Sequence, residues 1–399
     1  MPEIRSIHRC VFYCGGRKQF GTDARRIVER GAKTKQRSRT DWNTAATAHS
    51  GKPGNTTQME DHCMGTSQPK WLPYVLSLLL MFLIGVISAA AAGFQDTEGH
   101  WAEEAIEKWQ TSGVISGYEG AFRPDDKVTR AEFSTMVNNM MKYVEIGENP
   151  FSDLNASQWF YEAMLKLYAA GVMNGADGKA LPDNNITRQE AAVMVARAFH
   201  LKTDSAGTPA FKDAAEIAVW AKDAVAALAS KQVIRGMEDG TFRPNDDLTR
   251  AQAVAMFDQL IAQLIHKPGA YSADVQGNLV VNTPGVVLKN MSVAGDLYIA
   301  QGVGDGEVSL DNVKIKGSVF VYGGGENSVI FNNVDVRGAL VVNRYNGKVR
   351  ILATGNTSVS LTVLESGAIL VAKELTGGGF EKILIPENIV KGHEVVLDG

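Results

Sequence analysis

Three arginines, Arg130, Arg188 and Arg250, hold equivalent places in the strings VTRAEF, ITRQEA and LTRAQA, about sixty residues apart. In each string the threonine hydroxyl can accept from the amide three residues on. The Glu or Gln at that third position can reach back to the threonine's own amide, which makes a capping box and puts the arginine at the first helical position. A helix dipole gives a cation no reason to stand there. A guanidinium beside the open amides of a helix start is, however, a good receptor for a carboxylate or phosphate, with two-pronged hydrogen bonding available from the arginine. The plainer role for one such arginine is a surface ion pair, with Glu104 or Asp126 as mates; three equivalent placements favour anion binding.

The elements that must position these arginines recur with them. Each unit opens on an aromatic-x-Asp string, FQD at Phe94, FSD at Phe151 and FKD at Phe211, followed by Trp101, Trp159 and Trp220. A helical pattern comes next, as in WAEEAIEKWQTSGVI, where Ala105, Ile106 and Trp109 recur at three and four. Gly117, Gly175 and Gly236 follow as exits from helix into turn. The turns GYEGAFRP and GMEDGTFRP then lead to the capped helix, so the chain holds an internal repeat in three copies.

Residues 94 to 265 resemble three consecutive S-layer homology domains, through the aromatic-x-Asp openings, the tryptophans, the FRP turns and the TRAE, TRQE and TRAQ tetrads. The resemblance implies a pseudo-threefold bundle whose grooves hold a glycan. It also implies non-covalent anchoring to secondary cell-wall polysaccharide, often pyruvylated, at the surface of Gram-positive bacteria. Carried over, it sets Arg130, Arg188 and Arg250 on the pyruvyl carboxylate and makes Trp101, Trp159 and Trp220 walls of the grooves. Gly117, Gly175 and Gly236 would let backbone approach the sugar. The tryptophans could equally be core aromatics, and the glycines plain helix stops. Two repeats depart from the pattern: the second has NGADGKALPDNN in place of an FRP turn, and the third has Gln232 for Gly and loses a charge in TRAQ. The first site is therefore expected to be the best preserved.

After His266 the helical period stops. VVLKNMSVAGDLYIA, EVSLDNVKIKGSVFV and SVIFNNVDVRGALVV align with Asn290, Asn312 and Asn333 in register, at a period of 21 to 22 residues. Such units cannot bury an inward face alone, so they must stack as a parallel β-solenoid. The three asparagines are expected as an inward amide ladder, and the stretch beyond Val349 as one degenerate coil and a cap. The fold class expected is thus mixed: an all-α trimer of repeats, then an all-β parallel β-helix.

The expected organisation is an upstream extension over 1–69, a signal peptide over 70–92, repeats over 93–148, 149–206 and 207–266, a linker over 267–277 and the solenoid over 278–399. The apolar run from Trp71 to Ala92, with small residues at its end, has the layout of a secretory signal; a retained membrane anchor is its rival. Cys10, Cys14 and Cys63 all precede it, which leaves no disulfide framework or Cys metal site downstream. Residues 1–70 carry 13 Lys/Arg and 6 Asp/Glu, so the remainder is acidic, near −11 from a total of −4. Such a protein is a poor partner for nucleic acid or anionic membrane. No cofactor is expected, and the expected partners are the wall polysaccharide and, in a lattice, itself or other S-layer proteins. The main reading is non-catalytic. Its alternative is a polysaccharide lyase or glycosidase with its site on the solenoid, for which Asp311 and Asp335 are the tempting carboxylate pair although they fall in different registers. Asp305, Glu307 and Glu326 lie near one edge and could hold a weak metal, with solvated turn charges as the plainer account.

Overall fold

The computed structural model describes residues 12–13, 93–201, 207, 210–326, 328–387 and 394–399. The signal segment and all of the upstream extension except Phe12–Tyr13 lie outside the described residues. Among the described residues no helix is long and apolar enough to cross a membrane.

Each repeat contributes a short helix and then a capped one: α1 Glu103–Thr111 and α2 Arg130–Met141, α3 Tyr161–Ala169 and α4 Arg188–Ala198, α5 Lys222–Ser230 and α6 Arg250–Leu260. All three capping boxes form, on Thr129 with Glu132, Thr187 with Glu190 and Thr249 with Gln252. The apolar stripe turns inward, burying Ile106 and Trp109 of α1 and Phe133, Met136, Val137 and Met140 of α2.

The short helices end on Gly113, Gly171 and Gln232, at φ +71°, +69° and +58°. The helix stops are therefore four residues earlier than Gly117, Gly175 and Gly236, and Gln232 takes a left-handed backbone that glycine adopts without strain. Gly117 and Gly175 have another reason to be glycine. A Cβ at Gly117 would overlap the Phe94 ring and the Ala121 carbonyl, and one at Gly175 the Phe151 ring and the Lys179 carbonyl.

The aromatic-x-Asp openings now have a cause. Asp96 accepts from the amides of Phe122 and Arg123 at 2.9 and 2.6 Å, and Asp153 from Ala180 and Leu181 at 2.8 Å each. Asp213 grips Phe242 and Arg243 in the same way at 2.7 Å. Burial alone would raise the pKa of Asp96, but the Phe122 and Arg123 amides more than reverse this and hold it below the usual carboxylate value. Each grip holds a turn whose second residue, Arg123, Leu181 or Arg243, sits at positive φ.

The repeats touch in a closed ring. The Val128 amide donates to Leu248 O, Leu248 to Ile186 O, and Ile186 back to Val128 O. The first two amides of each capped helix are also satisfied across this ring: Arg130 and Ala131 donate to Asn184 and Pro182, Arg188 and Gln189 to Asp246 and Pro244, Arg250 and Ala251 to Asp126 and Pro124. The open helix-start amides expected from the sequence are thus already taken by the neighbouring repeat, as buried donors must be.

Strand begins at Ile261, directly after α6. Two parallel stacks build a solenoid of about six turns. One stack runs from Ile261–Ile265 through Asn278–Val281, Leu297–Ile299, Val319–Val321 and the end of Val329–Val342 to Ser358–Leu364. The other runs from Gly269–Tyr271 through Val286–Val293, Val308–Ile315 and the start of Val329–Val342 to Val349–Gly355 and Ala368–Leu375. Residues 267–277, expected as a linker, therefore carry a strand of the first turn. The stretch beyond Val349 continues the stack with full strands rather than a single degenerate coil.

Asn290, Asn312 and Asn333 do align on successive turns, but outward. All three are exposed and left-handed, at φ +51°, +55° and +55°. Asn312 Nδ2 donates to Asn290 Oδ1 at 2.8 Å, so a rung of the ladder exists on the surface. Asparagine is placed there by its tolerance of positive φ, not by a buried polar demand.

Candidate ligand grooves between the repeats

Arg130 and Arg250 are buried, and each crosses to the next repeat in the ring. Arg130 donates from Nε to Ala180 O at 3.0 Å, from Nη2 to Asn174 O at 2.9 Å and from Nη1 to Glu190 Oε1 at 2.9 Å. Arg250 repeats the pattern on Phe122 O, Ser116 O and Glu132 Oε1, at 2.8, 3.0 and 2.7 Å. Neither Glu104 nor Asp126 is the mate. The mates are the capping-box glutamates, which use Oε2 for their own threonine amide and Oε1 for the arginine.

Arg188 makes the matching backbone bonds, Nε to Phe242 O at 2.8 Å and Nη2 to Arg235 O at 3.4 Å. Its third partner should be the capping-box residue of the third repeat, but that residue is Gln252, whose Oε1 accepts from Thr249 N at 3.1 Å. Among the described residues no carboxylate lies within ion-pair distance of Arg188, and its Nη1 has no protein partner. Burial lowers its pKa while Asp246 acts through space to raise it, and a guanidinium stays charged throughout the working range. The groove expected to be best preserved, at Arg130, is thus charge-compensated, and the open cation belongs to Arg188.

The tryptophans are not core. Trp101, Trp159 and Trp220 are 66%, 68% and 58% exposed, whereas Trp109, eight residues after Trp101, is fully buried. Trp101 shares a cavity of ≈ 330 Å³ with Arg188, Arg235, Phe242 and Gln252. Trp220 shares one of ≈ 360 Å³ with Arg130, Asn174, Gly175, Glu190 and Arg197. Each cavity thus draws on all three repeats. Trp159, Gly117 and Gly236 border neither, and Arg197 and Arg235 are lining residues that the repeat pattern did not single out. Among the described residues no group of three or more His, Cys, Asp or Glu stands together as a metal site.

The pairing predicts different fates for two equivalent arginines. Arg130→Ala strips partners from Ala180 O, Asn174 O and Glu190 and should destabilise the protein by about 1–3 kcal/mol. Arg188→Ala strips Phe242 O and Arg235 O but leaves no carboxylate without its counter-charge, and should shift the denaturation midpoint less. Equal midpoints for both variants in urea melts would contradict the compensated geometry.

The sequence model of the S-layer homology domain matches residues 93–134, 150–192 and 210–254. The chain is 30% identical over 182 residues to an amylopullulanase of Thermoanaerobacterium thermosulfurigenes, covering 44% of this chain and 10% of that protein. It is 33% identical over 175 residues to exoglucanase XynX of Acetivibrio thermocellus, covering 42% and 16%. To the surface-layer 125 kDa protein of Lysinibacillus sphaericus it is 28% identical over 197 residues, covering 48% and 17%. The chain thus spans less than a fifth of the length of these curated relatives, and the similarity runs through the repeats.

Proposed function

We propose, for a chain that carries three S-layer homology domains ahead of a parallel β-solenoid, that it is a non-catalytic protein held to the cell wall by a secondary wall polysaccharide. The domains and the surface-layer relatives place it at the cell surface. The observation that carries the finer reading is the uncompensated Arg188 beside the exposed Trp101. A guanidinium with a free edge takes a carboxylate such as a pyruvyl ketal, while the tryptophan face supports the sugar ring that bears it. The ring of contacts among the repeats supports a pseudo-threefold arrangement in which the three grooves are equivalent in backbone and unequal in charge. Trp159, Arg250 and Gly117 would belong to the third of them.

The solenoid carboxylates favour the non-catalytic side. Asp311 is engaged by Lys289 at 3.5 Å and Asn332 at 2.9 Å, and Asp305 by Arg344. Asp335 pairs in register with Lys314, while Asp311 pairs with Lys289 and Asn332, so the two aspartates stand in different columns. Co-sedimentation tests the reading. The chain should pellet with native Gram-positive walls and stay in solution with walls stripped of secondary polysaccharide; equal binding to both would overturn it.

A further inference from the structure

A trough crosses from the repeats to the solenoid. The cavity at Arg130 ends at Arg197 and Trp220, and these same side chains open a hollow of ≈ 370 Å³ that runs on to Gly171 and His200. Gly171 and His200 in turn border a third hollow, of ≈ 270 Å³, whose far wall belongs to the solenoid: Gln301, Tyr322, Asn343 and Tyr345. The three hollows thus adjoin one another in order from the repeats to the solenoid.

Its chemistry differs from that of the Arg188 groove. At one end Arg130 is neutralised by Glu190. In the middle Arg197 and Asp223 both border the path and oppose each other in charge. At the solenoid end, among the described residues, the lining holds amides, hydroxyls and an imidazole and no Lys, Arg, Asp or Glu. One exposed aromatic face, Trp220 at 58%, stands where the first hollow meets the second. Another, Tyr345 at 50%, stands at the solenoid end, and the His200 ring lies 5.1 Å from that of Tyr322. Among the described residues the Tyr322 hydroxyl is enclosed without a hydrogen-bond partner, an unmet polar demand in the wall. Concave paths that combine exposed aromatic faces with uncharged donors and acceptors suit polyhydroxylated rings, whose C–H faces stack while their hydroxyls reach the amides.

We propose that this trough seats an uncharged stretch of wall glycan several sugars long, so that the solenoid is part of the binding surface and not only what the repeats carry. The proposal rests on the wall-glycan reading above. Its ligand differs from the acidic group assigned to Arg188, which lets the two be tested apart.

The probe is wall polysaccharide freed of its ketals by mild acid and separated by size, titrated calorimetrically into the chain and into a Tyr345→Ala variant. Tyr345 is half exposed on the surface turn between two strands, so the substitution leaves the core untouched, and circular dichroism confirms the fold. Wild type should bind the longer fractions about ten-fold more tightly than the disaccharide fraction, and Tyr345→Ala should lose most of that gain while keeping the disaccharide affinity. An affinity independent of length, or a length dependence untouched by Tyr345→Ala, overturns the trough. Binding of untreated walls with no binding of any ketal-free fraction overturns the trough and leaves the Arg188 reading standing. Absence of both kinds of binding overturns the two together.

Discussion

Gln252→Glu should cost the protein about ten-fold to a hundred-fold in affinity for ketal-bearing wall polysaccharide while leaving it at least as stable as wild type. Glu132 and Glu190 show what the new carboxylate would do: one oxygen accepts from the cap threonine's amide and the other from the arginine of the preceding repeat. At position 252 that arginine is Arg188, whose Nη1 is open. An internal carboxylate held at hydrogen-bond distance competes with any ligand carboxylate for the same donor. Removing a charge-assisted bond from the complex is worth about 1.5–3 kcal/mol, and each 1.4 kcal/mol is a factor of ten. Arg188→Ala should produce the same loss, and Arg188→Lys should recover part of it, because an ammonium lacks the planar fork. Glu190→Gln is the converse: it releases Arg130 from its counter-charge and should add affinity in the neighbouring groove. Calorimetry with one ketal-bearing fragment compares all four variants. Unchanged affinity in Gln252→Glu, with the ion pair to Arg188 formed, would remove Arg188 from the binding site.

The sequence carried the means to see part of this. The loss of charge from TRAE to TRAQ is visible in the string, and so are the capping boxes, because they are local. The partner of that glutamate is not visible, since Arg130 and Glu190 meet across a repeat boundary and nothing in the spacing of either says so. The exposed tryptophans were open to reading: Trp109 falls in the helical period with Ile106, while Trp101 precedes the first turn of α1 and belongs to no buried stripe. The outward asparagines show the opposite limit, because a regular spacing of Asn reports a shared corner without reporting which way it faces. φ decides that, and a positive φ at an exposed corner selects Asn as firmly as a buried amide would.

One further signal bears on how the two halves are joined. A strand half-exposed on a sheet alternates apolar and polar, yet NLVV, DLYIA and SVFVY run apolar on both faces, as strands covered on both sides do. The cover is the helical bundle. Val280, Tyr298 and Phe320 form a column on the outer side of one stack and join the core that holds Phe199, Met140 and Tyr143. Tyr298 is fully buried, stacks on Phe320 at 4.9 Å, meets Phe199 edge-on at 5.2 Å and donates its hydroxyl to Phe199 O. Asn282 Nδ2 donates to Met140 O at 2.8 Å, and Val144 N to Gln301 Oε1 at 3.2 Å.

Anchor and solenoid should therefore unfold as one unit, in contrast to the independent modules that a linker at 267–277 would give. Tyr298→Ala removes a large aromatic from the shared core and should destabilise the protein by about 3–5 kcal/mol. The two halves can be followed separately in a chain starting at residue 93, because its four tryptophans, Trp101, Trp109, Trp159 and Trp220, all lie in the repeats. Tryptophan fluorescence then reports the repeats and far-ultraviolet dichroism adds the solenoid. In wild type the two denaturation curves should superimpose, as a single cooperative transition requires, and in Tyr298→Ala both should move together to lower denaturant. A fluorescence midpoint that stays in place while the dichroism shifts would mean that the aromatic column is only a contact and that the repeats hold their grooves without the solenoid.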